Sequence, residues 1–302
     1  MPRSLPNSRD KILGSKRVVR CPEKERNQQT GSGPSKGREG IMNTVAIRLE
    51  EKRLENVKNI ADYNMVHERH RIFPALFENR QHRTILDMSA GMGVVAQRIR
   101  DQYPCSLICN DICPKCLQSL NDLGLQTISF DLDNAAVPFP FPAKSFDAII
   151  SLSTIEHLIH LEHFLEETRR ILDDNGFLYI SSPNYSSLSY MLPFVLKGQT
   201  FHDPFSQADQ YEFYAHYRYF TYKTLLQYVR AFGFSPVASY IGKPHGSSYY
   251  QRLKRQSKWK SLCFKVVLSS LCHLLPPRWS SEPVLCFRKG SGGAPSPKKI
   301  VL

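Results

Sequence analysis

The stretch from Thr84 to Asp111 reads TILDMSAGMGVVAQRIRDQYPCSLICND and decides the fold. It predicts an apolar strand, a tight turn of small residues, a helix and a second apolar strand. Glycines in the turn let a ligand approach the backbone, and the helix that follows directs free N–H groups towards it. Each strand ends on an acid, Asp87 or Asp111, and an acid about twenty residues past the glycines is placed to accept hydrogen bonds from ribose hydroxyls. The stretch therefore predicts a nucleoside site in a doubly wound α/β fold.

The turn also indicates which nucleoside to expect. Gly91-x-Gly93-x-x-Ala96 satisfies the fingerprint of dinucleotide sites, so an NAD(P)-dependent oxidoreductase stays an alternative. Asp87 favours another ligand, because an acid just before the turn repels a pyrophosphate but suits the ammonium and sulfonium of S-adenosylmethionine. Asp87-x-Ser89-x-Gly91-x-Gly93 resembles the first motif of class I S-adenosylmethionine-dependent methyltransferases, with Ser89 in the place of its first glycine.

A second block strengthens this resemblance. Residues 137–158 read VPFPFPAKSFDAIISLSTIEHL and resemble the signature of the type 11, ubiquinone-biosynthesis-like methyltransferases, in which L-P-F-x-x-x-S-F-D-x-I precedes an E-H pair. The resemblance covers residues 85–184. It implies a Rossmann-like class I methyltransferase fold, which is doubly wound and has a mostly parallel sheet of seven strands. It also implies an enzyme that uses S-adenosyl-L-methionine to methylate a small-molecule, lipid-linked or sugar acceptor, with oxygen as the expected target.

The resemblance places the cofactor at the carboxyl ends of the strands. It implies that Asp111 contacts the ribose, that Asp131 accepts from the adenine amino group, and that the N–H of Leu132 meets a ring nitrogen. The residues expected to bind the cofactor are Asp87, Ser89, Gly91, Gly93, Asp111, Ile112, Asp131, Leu132 and Leu152.

Histidines supply the candidates on the acceptor side. The fourth strand is predicted at Phe146–Leu152, and Glu156 and His157 open the helix after it. An imidazole suits a catalytic base that takes the proton of a hydroxyl acceptor. Its alternative role is a helix cap or a water-binding group in the pocket. Residues 216–221, HYRYFT, resemble the family's H-x-R-x-F-T, which implies that His216 and Arg218 bind the substrate. Packing is the alternative for both.

Two patterns resemble metal sites, and no metal is expected from either. Cys109-x-x-x-Cys113-x-x-Cys116 has the thiolate spacing that holds the iron–sulfur cluster of radical S-adenosylmethionine enzymes. Cys109, however, falls inside the second predicted strand, so its side chain belongs to the sheet. Histidines 157, 160 and 163 follow one another at three-residue steps, which drift around a helix rather than converge.

The rest of the chain divides into tails and variable segments. Residues 1–41 carry ten basic and four acidic residues and predict a disordered basic tail, or an over-extended start ahead of Met42. The other expected divisions are a methyltransferase domain at 42–288, a lid or substrate region at 185–222, an amphipathic helix at 261–275 and a second tail at 289–302.

The net charge of +13 raises a nucleic-acid methyltransferase as an alternative. Base-amino methyltransferases carry D/N/S-P-P-Y/F/W after the fourth strand, where this chain has the residues SLST at 151–154, so nucleic acid is not an expected partner. A binding protein that keeps the fold without catalysis is another alternative.

The basic and apolar run at 252–275 predicts peripheral membrane contact, with packing on the sheet or a dimer contact as alternatives. Scattered cysteines, and the lack of a signal peptide or membrane-spanning run, predict a cytoplasmic protein.

Overall fold

The computed structural model describes residues 36–63, 65–199, 201–205, 210–243, 248–290, 292 and 296–302. The strands are β1 (Thr84–Met88), β2 (Ser106–Asn110), β3 (Gln126–Ile128), β4 (Phe146–Leu152), β5 (Leu172–Ser181), β6 (Phe234–Ile241), β7 (Val284–Lys289) and β8 (Lys298–Val301). The α-helices are α1 (Lys36–Arg53), α2 (Glu68–Arg71), α3 (Val94–Gln102), α4 (Pro114–Asp122), α5 (Leu161–Ile171), α6 (Leu188–Lys197), α7 (Gln210–Ala215), α8 (Tyr222–Ala231), α9 (Ser248–Gln256) and α10 (Lys258–Leu274). Turns of 3₁₀ helix lie at Ala75–Phe77, Ile155–His157 and Pro277–Trp279.

The strands form one open sheet in the order β3-β2-β1-β4-β5-β7-β6-β8. Strand β7 is antiparallel to both of its neighbours, and the other pairs are parallel. The predicted doubly wound, mostly parallel α/β fold is therefore confirmed. Because β1 to β5 run parallel, their carboxyl ends meet at one edge, where ligands bind in folds of this kind.

The sheet has eight strands, whereas seven were predicted. The additional strand, β8, lies within residues 289–302, which the sequence analysis assigned to a tail, so the structure corrects that assignment. β8 pairs with β6 in parallel, with Ala238 opposite Lys298 and Ile241 opposite Val301. Two lysines and two apolar residues form too short a pattern to predict a strand, and the pairing partner lies far away in the sequence.

Several other boundaries differ from the predicted ones. Helix α1 begins at Lys36, so residues 36–41 of the predicted N-terminal tail are helical, while residues 1–35 lie outside the described part of the chain. The predicted lid contains α6 and α7, and its residues 200 and 206–209 are also outside the described part. Helix α10 covers the predicted amphipathic helix at 261–275 except for Leu275, which caps its end. No helix in the described part of the chain is both long and apolar enough to span a bilayer.

Apolar side chains pack on both faces of the sheet. Leu86 and Leu178 lie in one core cluster, with side chains from α5 and α8. Their strand neighbours Ile85 and Tyr179 lie in the other cluster, with side chains from α3 and α4. This alternation, with both faces covered, explains why the central strands read as nearly continuous apolar runs.

The segment after β4 departs from the prediction in a way that affects the site. Glu156 and His157 lie in the 3₁₀ turn at Ile155–His157, whereas the sequence placed them at the start of the next helix. Helix α5 begins later, at Leu161. The two side chains are thus carried by a short turn directly at the carboxyl end of β4.

Candidate active site

A cavity of about 470 Å³ lies at the carboxyl edge of the sheet. Its volume falls in the range of small-molecule sites. The ends of β1 and β2 contribute Asp87 and Asp111 to its lining, and helices α1, α2 and α7 contribute Glu50, Arg69 and Tyr211. The cavity therefore joins the predicted nucleoside turn to helices that precede and follow the core motif.

Most of the residues predicted to bind the cofactor line this cavity: Asp87, Ser89, Gly91, Asp111, Ile112, Asp131, Leu132 and Leu152. Gly93 is absent from the lining. A Cβ on Gly93 would lie 2.8 Å from Leu123 Cδ1 and 3.0 Å from Leu120 Cδ2, and its φ is +85°. Gly93 thus allows the start of α3 to pack closely against the end of α4, which is a packing role rather than a ligand contact.

The turn before α3 keeps its backbone close to the cavity. Ser89 and Gly91 both adopt left-handed conformations, with φ of +57° and +56°. No other described atom lies within 4 Å of the point where a Cβ on Gly91 would stand. The turn is therefore open above Gly91, as a site needs where a ligand approaches the main chain.

Asp111 is held firmly at the end of β2. Its Oδ2 accepts the N–H of Gly91 at 2.8 Å, and its Oδ1 accepts the N–H of Cys113 at 2.9 Å. Burial raises the pKa of Asp111 to about 6, although these two hydrogen bonds oppose the rise. The carboxylate has two lone pairs per oxygen, so it retains acceptor capacity for ribose hydroxyls.

Asp87 is a buried acid that lacks a full set of partners. Its side chain is 3% exposed, and its Oδ2 has no hydrogen-bond partner among the described residues. Burial raises the pKa of Asp87 to about 8, and the neighbouring charge of Asp111 adds to the rise. A buried, incompletely satisfied carboxyl at this place fits a cationic group such as the ammonium of S-adenosylmethionine.

His157 has a defined tautomer. Its Nδ1 lies 2.9 Å from the carbonyl oxygen of Ala215. A carbonyl only accepts hydrogen bonds, so Nδ1 carries the hydrogen and Nε2 has the free lone pair. Burial lowers the pKa of His157, which keeps the imidazole neutral near pH 7. His157 lines the cavity.

The structure separates the two residues predicted to bind the substrate. His216 lines the cavity, and its Nδ1 lies 2.9 Å from the hydroxyl of Tyr185. Arg218 does not line it: its Nη2 donates to the carbonyl of Ile159 at 3.3 Å, and its backbone N–H donates to the carbonyl of Glu156 at 3.2 Å. Arg218 is thus engaged with the backbone after β4.

Glu156 forms a group with the two histidines that the sequence analysis did not predict. One donor atom each of Glu156, His157 and His216 lies within 4.8 Å of the others, which is the spacing of a metal site. Glu156 is fully buried, and neither carboxyl oxygen has a hydrogen-bond partner among the described residues. Burial raises the pKa of Glu156 to about 8, and the charge of Glu282 contributes. Near pH 7 this carboxyl is therefore largely protonated and available as a hydrogen-bond donor.

Two ion pairs border the cavity, and the sequence analysis missed both. Arg53 of α1 pairs with Glu50, and its guanidinium carbon lies 5.1 Å from the ring centroid of Tyr211. Arg69 of α2 pairs with Glu282, whose Oε1 accepts from serine hydroxyls at the ends of β4 and β5. The first pair has three-residue helical spacing, which is also common on solvated helix faces. The second joins residues more than two hundred positions apart, which no local pattern reveals.

The cysteine pattern does not converge on one point. Cys109 packs among the side chains of α3 and α4 in a sheet-face cluster. Cys113 and Cys116 belong to a different cluster, with Leu54. The expectation that Cys109 belongs to the sheet is confirmed, and the three thiols serve two separate parts of the core.

A family model described as a methyltransferase domain matches residues 57–239. The chain belongs to this family. The match confirms the resemblance to class I methyltransferases and, with it, S-adenosylmethionine as the cofactor.

Curated relatives of this methyltransferase-domain chain differ in the atom that they methylate. A malonyl-[acyl-carrier protein] O-methyltransferase from Geobacter sulfurreducens is 34% identical over 35% of this chain and 41% of its own. The mitochondrial ubiquinone biosynthesis O-methyltransferase of Homo sapiens is 39% identical over 19% of this chain and 15% of its own. An ajmaline N-methyltransferase from Rauvolfia serpentina is 28% identical over 36% of this chain and 39% of its own. The chain therefore spans well under half the length of these relatives.

Among solved structures, the [4+2]-cyclase SpnF has a TM-score of 0.53 and 13% identity, covering 83% of this chain and 97% of its own. At this level of identity the likeness shows the fold alone.

Proposed function

We propose that this protein transfers the methyl group of S-adenosylmethionine to a hydroxyl oxygen of a small-molecule, lipid-linked or sugar acceptor. The observation that carries the proposal is the tautomer of His157, which leaves a neutral Nε2 lone pair in the cavity. S-adenosylmethionine supplies the electrophilic methyl group on its sulfonium. The chain supplies binding, orientation and a place for the acceptor's proton.

The cofactor half of the cavity follows the family motif. Asp87 balances the ammonium, since its carboxyl is buried and incompletely hydrogen-bonded. Asp111 accepts from the ribose hydroxyls while the N–H groups of Gly91 and Cys113 hold it in place. Asp131 and the backbone after it recognise the adenine edge, as the resemblance implies.

The acceptor half centres on His157. As the acceptor oxygen attacks the methyl group, its O–H bond breaks and the proton moves to Nε2. The Nδ1–H of His157 stays bonded to the Ala215 carbonyl, which fixes the ring and stabilises the imidazolium that forms. Glu156 and His216 are buried and His157 is half-buried, which keeps water from competing for the methyl group.

An amine acceptor is the second candidate. The buried carboxyl of Glu156, with both oxygens unpartnered among the described residues, can donate a hydrogen bond to a neutral amine as well as to a hydroxyl. One of the relatives is named as an N-methyltransferase. The two candidates differ in their pH response, because an amine loses its own proton in solution whereas a hydroxyl needs the base at the moment of attack.

The test combines a screen with a matched pair of variants. Labelled S-adenosylmethionine is incubated with hydroxyl and amine acceptors, and the wild type is compared with His157→Ala and His160→Ala. His160 is exposed and outside the cavity lining, with its Nδ1 2.7 Å from the carbonyl of Asp133. We expect His157→Ala to lower turnover on hydroxyl acceptors by about 10²–10⁴-fold with adenosylhomocysteine affinity unchanged, and His160→Ala to resemble the wild type. Equal activity of both variants on a hydroxyl acceptor would remove the base from the proposal.

Peripheral membrane contact from the cytoplasmic side is a further part of this proposal. Residues 252–275 contain six lysines and arginines and no acidic residue. Within α10, Trp259, Leu262 and Val266 are each more than half exposed. Such a combination suits an anionic lipid surface. Vesicles with phosphatidylserine should sediment the wild type at low salt, and a Trp259→Ala/Leu262→Ala variant should remain in solution; a Trp279→Ala variant, outside this segment, is the control. Equal sedimentation of all three would contradict the contact.

A further inference from the structure

The hydroxyl of Tyr185 lies between two imidazoles at the start of the lid region. Its oxygen is 2.7 Å from Nε2 of His202 and 2.9 Å from Nδ1 of His216. The three side chains are 2%, 5% and 8% exposed, respectively. His202, Tyr185 and His216 therefore form one buried chain of hydrogen bonds, called the line below, rather than a contact at the surface.

The line has a direction because a phenol carries one hydrogen. Tyr185 donates to one imidazole and accepts an N–H from the other, so one facing nitrogen has a hydrogen and the other has a lone pair. Moving two hydrogens along the line exchanges these roles. The tautomers of His202 and His216 are therefore coupled through Tyr185.

One end of the line is in the cavity and the other is not. His216 lines the cavity, whereas His202 does not. The ring of His216 meets the ring of His157 edge-to-face, with centroids 4.7 Å apart. Nitrogens of the two rings lie within 4.8 Å of one another, a gap that one bridging oxygen can span.

A base at His157 needs a group that takes up its proton before the next turnover. Its Nδ1–H ends on the Ala215 carbonyl, which cannot take up a proton at neutral pH. Burial, and the neighbouring imidazoles of His157 and His202, lower the pKa of His216 to about 3. A proton that reaches His216 is therefore not retained there.

We infer that His216, Tyr185 and His202 form a proton relay that removes the proton from His157 after methyl transfer. The proton on Nε2 of His157 passes through one bridging water to Nε2 of His216. The Nδ1 hydrogen of His216 moves to the Tyr185 oxygen, and the hydroxyl hydrogen moves to Nε2 of His202. One O–H bond of the acceptor has broken, its electron pair forms the bond to the methyl group, and the positive charge ends on His202. The relay rests on the proposed transfer to a hydroxyl, and Tyr185 and His202 act through His157 as positioning and relay residues.

The kinetic test uses two phenols that differ in acidity. Phenol must lose its proton on the enzyme, whereas 4-nitrophenol is already ionised in mildly alkaline buffer and needs no base. The variants are Tyr185→Phe and His202→Gln; glutamine keeps a hydrogen-bonding atom near the position of Nε2 but does not take up a proton. The control is Tyr219→Phe, since Tyr219 packs its ring 4.9 Å from that of Tyr185 and is half exposed.

We expect Tyr185→Phe and His202→Gln to lower steady-state turnover of phenol about 10²-fold, with little change on 4-nitrophenol and with the first turnover preserved. Tyr219→Phe should match the wild type on both. Wild-type turnover of phenol by Tyr185→Phe, or by His202→Gln, would overturn the relay.

Nitrogen-15 NMR of the histidine rings tests the line without any acceptor. In the full chain saturated with adenosylhomocysteine, we expect a hydrogen on only one of the two nitrogens that face Tyr185, and loss of this pairing in Tyr185→Phe. Hydrogens on both nitrogens, or on neither, would overturn the relay whatever the acceptor is. The expected pairing, together with no methylation of either phenol by the wild type, would support the coupled line and count against a phenolic acceptor alone.

Discussion

Replacing Asp87 with asparagine tests the electrostatics of the cofactor site. Burial raises the pKa of this carboxyl from an ordinary 3.8 to about 8, so the folded protein holds a proton that the unfolded chain releases. A group whose pKa is raised by folding stabilises the protein at low pH, and this stability is lost as the pH rises. The loss runs at about 1.4 kcal/mol per pH unit between the two pKa values.

At pH 7 the Asp87→Asn variant should therefore be more stable than the wild type by up to about 4 kcal/mol. This free energy is the loss per pH unit multiplied by the roughly three pH units that separate pH 7 from the unfolded pKa. A change of this size is a large fraction of the stability of a typical domain. Urea unfolding at several pH values between about 5 and 8 measures it directly, and the slope of stability against pH should be shallower in the variant.

Adenosylhomocysteine provides the control that links this slope to the site. In the proposed site its ammonium pairs with the Asp87 carboxylate, so saturating ligand should flatten the slope in the wild type. Glu156→Gln is the matched variant, because the pKa of Glu156 is also raised to about 8 by burial. This variant should lose a similar part of the dependence of stability on pH. The part that remains comes from Asp87, and saturating ligand should flatten it as in the wild type. An Asp87→Asn variant with the wild-type slope would mean that Asp87 is ionised in the folded protein, and would refute the reasoning.

Three further changes have expected outcomes. Asp111→Ala should weaken adenosylhomocysteine binding by about 1.5–3 kcal/mol for each ribose hydrogen bond lost, and unchanged affinity by calorimetry in a folded variant would remove Asp111 from the site. Gly93→Ala should destabilise the protein by about 1–3 kcal/mol, since its Cβ would lie 2.8 Å from Leu123 Cδ1 at a φ of +85°; an unaltered melting temperature would contradict this. Cys113→Ser/Cys116→Ser should keep its affinity for adenosylhomocysteine, because no cluster is expected on these thiols; a loss of affinity, or stoichiometric iron bound by the wild type after anaerobic reconstitution, would contradict that expectation.

The central motif was predictable because its signals are local. The apolar residues of β1, the glycines at 91 and 93 and the acid at 111 lie within one short stretch, and a hydrogen bond joins Asp111 to Gly91. The same holds for β4, whose seven residues were predicted with both ends correct. Most of the predicted residues that line the cofactor cavity come from these two regions.

The parts that were missed depend on distant contacts. Strand β8 forms because β6 offers an edge, and nothing in four residues reveals that edge. Arg218 matches a family pattern, but its guanidinium is taken by the carbonyl of Ile159. Tyr185 and His202 lie seventeen positions apart in the lid region, so only the folded chain brings them together.

The carboxylate of Glu282 connects helix α2 to the carboxyl ends of β4 and β5. It binds Arg69 of α2 on one side and the hydroxyls of Ser153 and Ser181 on the other. Its negative charge raises the pKa of Glu156, whereas the positive charge of Arg69 lowers it. If α2 swings aside to admit the cofactor, Arg69 leaves and Glu156 holds its proton more tightly. The protonation of one buried acid would then report whether the entrance is open or shut.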